Sequence, residues 1–99
     1  MYICEPQALE EALPALEAAD VLAIDTEFMR ERTYYARLCL VQIATAGEVY
    51  VIDAIALEGE LGGLARVLSS PATLKVFHAG SQDIEVLLRA TGVTPSPVF

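Results

Sequence analysis

An α/β fold, with helices packed on a mixed sheet, is what the apolar patterns of this chain predict. Three observations carry that expectation. Short apolar runs of strand length recur at residues 21–28, 38–45, 48–53 and 73–78. Helically spaced stretches precede, separate and follow them. An Ala46-Gly47 pair stands between the second and third runs, which is the signal of a tight hairpin.

Taken in order, residues 7–19 place Leu9, Ala12, Leu13 and Leu16 on one helical face. Pro14 is expected to kink or shorten that helix. Residues 21–28 (VLAIDTEF) form the first strand, followed by a polar stretch over 29–37. LCLVQIAT (38–45) and EVYVID (48–53) form the hairpin. Over 60–70, Leu61, Leu64, Val67 and Leu68 have helical spacing, although Gly62 and Gly63 lower the propensity. TLKVFH (73–78) is the fourth strand. Residues 82–91 are a helix with Ile84, Leu87 and Leu88 inward, and Gly92 is its stop. Residues 93–99 are extended, and their apolar end reads as the start of another strand. Strand 21–28 is expected at the centre, between the antiparallel strand 38–45 and a parallel strand 73–78 reached by a right-handed crossover.

Ninety-nine residues support one small domain. With 55% apolar and 20% charged residues, the chain is not disordered. No apolar stretch approaches the roughly 18 residues that span a membrane, so no membrane partner is expected. The start, MYICEPQALEEAL, lacks the basic and apolar regions of a signal peptide. Cys4 and Cys39 read as thiols rather than a disulfide framework. A cytoplasmic location follows as the expectation. The net charge of −8 is the wrong balance for passive nucleic-acid binding. It suits an enzyme whose recruited cations meet the phosphate, and it suits a plain acidic domain equally.

Asp25 and Glu27 carry the first chemical signal. They interrupt a strand otherwise built of Val, Leu, Ala, Ile and Phe, and residues two apart share a strand face about 6–7 Å apart. Two like charges there repel and lose hydration, which a divalent cation would relieve. A solvated acidic face is the plain alternative. Asp83 lies in HAGSQDIEVLL, in the first turn of the last helix. The helix dipole favours an acid there, with Gly80 or Ser81 as cap, so a helix-start role is the ordinary reading. His78 ends a strand and is ordinarily a hydrogen-bonded surface histidine. Together, though, the two mark a strand end leading into a helix start, where α/β sheets tend to place their sites.

With these residues in view, AIDTEFMRERTYYARLCLVQIA resembles the first exonuclease motif of the ribonuclease D family, and KVFHAGSQDIEVLL resembles its second. Phe28, Arg30, Arg32, Thr33, Tyr34, Tyr35, Leu38 and Gln42 extend the match well past the bare acidic pair. The resemblance implies a ribonuclease H-like fold and 3′→5′ removal of nucleotides from RNA ends, tRNA precursors among them. It also implies two divalent cations, Mg²⁺ or Mn²⁺. By the matched positions, Asp25 would bridge both cations, Glu27 would hold the one that activates water, and Asp83 would help hold the other. Two cations roughly 3.5–4 Å apart stabilise both the attacking and the leaving oxygen of an in-line displacement. Phe28 is placed to touch a terminal nucleotide or to join the core. Arg30 and Tyr34, with Arg32 and Tyr35, suit phosphate contact and base stacking, or a surface loop packed on the sheet. His78 joins them as a substrate-contact candidate.

The family's third motif supplies a tyrosine or histidine and a fourth aspartate, and residues 84–99 contain no Asp, Tyr or His. Residues 1–99 therefore read as a partial, truncated exonuclease domain. Two other readings stay open: a DNA-directed 3′→5′ exonuclease, and a non-catalytic binding or regulatory remnant of the fold.

Overall fold

The computed structural model describes residues 1–30, 36–78 and 81–99. In chain order the elements are β1 (Tyr2–Ile3), α1 (Pro6–Ala18), β2 (Val21–Arg30), β3 (Ala36–Ala44), β4 (Val49–Asp53), α2 (Gly62–Ser69), β5 (Leu74–Phe77) and α3 (Ser81–Thr91). The strands form one sheet in the order β1-β4-β3-β2-β5. β2 pairs antiparallel with β3 and parallel with β5, as its central position in the sequence reading required. β1 was not legible in advance. Two residues show no period, and their partner, Val51-Ile52 of β4, is far along the chain. Tyr2 supports that pairing by donating its hydroxyl to Asp53. The bond raises the phenol's pKa and, with the Ala56 amide, holds the Asp53 carboxyl below its ordinary range.

The helices follow from their apolar faces. α1 starts with Pro6 in its first turn, where a missing N–H costs nothing. It runs through Pro14, an exposed position where water can serve the Glu10 carbonyl that proline leaves without a donor. Leu9, Ala12, Leu13 and Leu16 of α1 are buried together with Leu64, Val67 and Leu68 of α2. Full burial of each leucine contributes roughly 1.5–3 kcal/mol. α2 begins at Gly62, two residues inside the expected span, because residues 54–59 form tight turns first. α3 ends at Thr91 with Gly92 at φ +82°, whose amide bonds to the Leu88 carbonyl at 2.8 Å. The hairpin turn at Ala46-Gly47 is organised by Thr45, whose hydroxyl accepts from the amides of Gly47 and Glu48. No helix of the described residues is long and apolar enough to cross a membrane.

All three helices contribute to one core on one face of the sheet. Leu22 and Ile24 of β2, Val41 and Ile43 of β3, Tyr50 and Ile52 of β4, and Phe77 of β5 point into it. The opposite face carries Val21, Ala23, Asp25 and Glu27 of β2, all exposed. A β-bulge interrupts the β2–β3 register: Glu27 faces Leu40, and Phe28 faces Leu38, leaving Cys39 extra. The slip turns Leu38 inward, where it is 6% exposed. The strand expected to begin in residues 93–99 amounts to one isolated bridge, Val98 parallel to Lys75.

Candidate active site

β2 outruns its parallel neighbour. The last pair between them is Ile24 with Phe77, yet β2 continues to Arg30. From Asp25 onward the edge that faced β5 is left without that partner, and α3 begins at Ser81. α3 packs against β2 and β3, so its first turn meets β2 beside the acidic pair.

Strand alternation sorts the side chains. Asp25 and Glu27 are exposed on the open face, and Thr26 between them is buried on the helix-covered face. The Asp25 carboxylate accepts the Thr26 amide at 3.0 Å. Asp83 is 7% exposed and Thr26 8%, and the Thr26 hydroxyl donates to Asp83 Oδ1. A bond linking residues 57 apart thus ties the start of α3 to the middle of the acidic dipeptide step. Asp83 thus meets β2 through Thr26, while Asp25 and Glu27 face the open side. Among the described residues no three Asp, Glu, His or Cys side chains form a group able to hold a metal ion as they stand. The donor types themselves fit a hard divalent cation, since all three are carboxylates and two face solvent.

The remaining candidates separate. Phe28 is half-buried and packs on the core from the helix side. It lines a small groove with Arg30, Gln82, Glu85, Val86 and Arg89. That groove shares Ala36, Val86 and Arg89 with a cavity of about 300 Å³ flanked by Leu38 and Glu58. Glu58 is bonded there to Arg37 at 2.7 Å. Arg30 is exposed at the end of β2, and His78 is exposed directly after β5. Tyr34, with Arg32, Thr33 and Tyr35, lies outside the described residues, as does the Gly80 cap candidate. Thr26 was not singled out from sequence. Its signal was a hydroxyl at an inward position of a strand otherwise filled there by Leu22 and Ile24.

Comparison with known proteins places this geometry. Residues 2–99 match the family model described as 3′-5′ exonuclease. Ribonuclease D of Acidiphilium cryptum is 46% identical, the match covering 96% of this chain and 26% of that protein. Among solved structures, Escherichia coli RNase D, an exoribonuclease involved in structured RNA processing, aligns with a TM-score of 0.92. Its identity is 35%, over 100% of this chain and 26% of its own. Brucella melitensis NrnC with bound Mg²⁺ aligns with a TM-score of 0.69 at 36% identity, over 84% of this chain and 42% of its own. The chain spans about a quarter of the length of the curated ribonuclease D relatives it matches. The mixed sheet is the ribonuclease H-like one expected, and the family match runs through both carboxylate-bearing segments. On fold and sequence together, the chain belongs to the 3′-5′ exonuclease family, on its ribonuclease D side.

Proposed function

We propose that this chain contributes the first two motifs of a metal-dependent exonuclease that hydrolyses RNA from the 3′ end, tRNA precursors included, in the cytoplasm. The observation that carries the proposal is that Asp83, at the start of α3, accepts a hydrogen bond from Thr26, the residue between Asp25 and Glu27 on β2. Asp25, Glu27 and Asp83 would hold two divalent cations, Mg²⁺ or Mn²⁺. Bound there, the cations supply an activated water and charge stabilisation for the leaving oxygen.

The chain's own residues would do the rest. Asp25 is the proposed bridge between the cations, with Glu27 on the water-activating side and Asp83 on the other. Arg30 would meet backbone phosphate at the end of β2, and Phe28 would back the terminal nucleotide from the groove it lines. His78 and Tyr34 are assigned to substrate contact on the strength of the motif match. The fourth aspartate and its partner tyrosine are absent from residues 84–99.

The test is a chimera in which residues 1–99 replace the aligned segment of Escherichia coli RNase D. Given 3′-labelled single-stranded RNA and Mn²⁺, the chimera should shorten it from the 3′ end. Asp25→Ala should cost on the order of a hundredfold or more, the usual scale for a group that stabilises developing charge. Residues 1–99 alone should be inactive or nearly so. A folded chimera without activity, or one indifferent to Asp25→Ala, rejects the assignment.

A further inference from the structure

We infer that Thr26 is a positioning residue that sets the Asp83 carboxylate for metal binding. The inference rests on the metal-dependent reading above and deepens it. Thr26 touches neither substrate nor cation in this assignment, because alternation turns it away from the face of Asp25 and Glu27. What it does touch is Asp83 Oδ1, through its hydroxyl.

Three features make this bond more than ordinary packing. Its two partners are 8% and 7% exposed, so water competes poorly for either. It lies in the part of β2 beyond Ile24, where the pairing with β5 has ended, so the bond joins α3 to a stretch that β5 does not support. And the hydroxyl comes from the residue between Asp25 and Glu27, so the bond ties Asp83 on α3 to the strand segment that carries the other two acids. A carboxylate ligand fixed by a hydrogen bond from outside the coordination sphere is the usual way a site orients its donors. Loss of such a bond commonly lowers metal affinity about 10–100-fold. Valine at this position keeps the shape of threonine and loses the donor. Serine keeps the donor and loses a methyl.

The experiment is Mn²⁺-dependent thermal stabilisation of residues 1–99, read as the Mn²⁺ concentration of half-maximal shift, alongside the metal-free melting temperature. For Thr26→Val the half-maximal concentration should rise about tenfold or more, and Thr26→Ser should stay within about threefold of the parent. Should the valine variant not fold, Thr26→Cys, which carries only a weak donor, is expected to show the same loss. A variant whose metal-free melting point falls while its Mn²⁺ dependence is unchanged overturns the inference and leaves Thr26 as a packing residue. Serine behaving like valine overturns it as well, since the hydroxyl would then not be the cause. A parent chain with no Mn²⁺ response, matched by Asp25→Asn, overturns the metal reading itself and this inference with it.

Discussion

Asp25 and Asp83 occupy opposite environments, and their substitutions should separate accordingly. Asp25 is exposed beside exposed Glu27. In the absence of metal, Asp25→Asn removes one of two neighbouring like charges and should change stability by no more than about 0.5 kcal/mol. Asp83 is buried and accepts the Thr26 hydroxyl. Asp83→Ala leaves that hydroxyl without its acceptor and should cost about 1–3 kcal/mol. Urea denaturation in EDTA distinguishes the two, and equal losses would contradict this division of the site. At this scale the sequence was informative about Asp25 and Glu27, because acids at alternate positions of an apolar strand have a direct physical meaning. It was silent about the Thr26–Asp83 bond, since a contact between residues 57 apart has no local signature. The first-turn position of Asp83 also had a sufficient explanation in the helix dipole.

Two adjacent glycines show how packing decides at the level of elements. A Cβ on Gly62 would meet nothing within 4 Å, whereas one on Gly63 would lie 2.6 Å from Leu13 Cδ1. Gly62→Ala should therefore stabilise α2 by roughly 0.5–1 kcal/mol through helix propensity alone. At Gly63 the same gain is opposed by an overpacking cost of about 1–3 kcal/mol where α1 and α2 touch, so Gly63→Ala should be neutral to destabilising. Thermal melts of the two single variants check this, and similar melting points would show that Leu13 yields freely. Sequence periodicity located α1 and α2 with their buried stripes and α3 in extent, but in α3 Val86 is buried with Leu87 while Leu88, expected inward, is exposed. It treated both glycines alike because propensity carries no knowledge of the facing helix. The bulge at Glu27–Phe28 was hidden for a related reason: an extra residue on β3 is visible only once its register against β2 is known. β1 escaped because two residues have no period at all.

Across the whole molecule, the core lies on one face of the sheet and the proposed metal ligands Asp25 and Glu27 lie on the other. That second face also shows Val21 at 47% and Val49 at 43% exposure. Lys75 ties the far edge together. It is fully buried, and its ammonium donates to the carbonyls of Ser70 at 2.5 Å and Ser96 at 2.8 Å, joining the end of α2 to the extended tail. Burial lowers its pKa from the ordinary 10.5. The folded chain thus holds this proton less tightly than the unfolded chain does. Its contribution to stability accordingly rises with pH through the window between the lowered value and 10.5. Lys75→Met should flatten that rise. At pH 7 it should cost about 1–3 kcal/mol, because two carbonyls lose their donor. A variant of unchanged stability and unchanged alkaline slope would show that the tail is held by its backbone pairing with β5 alone.

On the proposed function, a divalent cation binds where β2 and the start of α3 meet. The most direct measurement is the Mn²⁺-induced broadening of backbone amide signals in an ¹⁵N-labelled sample of residues 1–99. The amides of Asp25, Thr26, Glu27 and Asp83 should be lost first as Mn²⁺ is added, and Asp25→Asn should protect them. Broadening centred instead on other acidic stretches, such as Asp53 with Glu58 and Glu60, or spread evenly over the negatively charged surface, would contradict it.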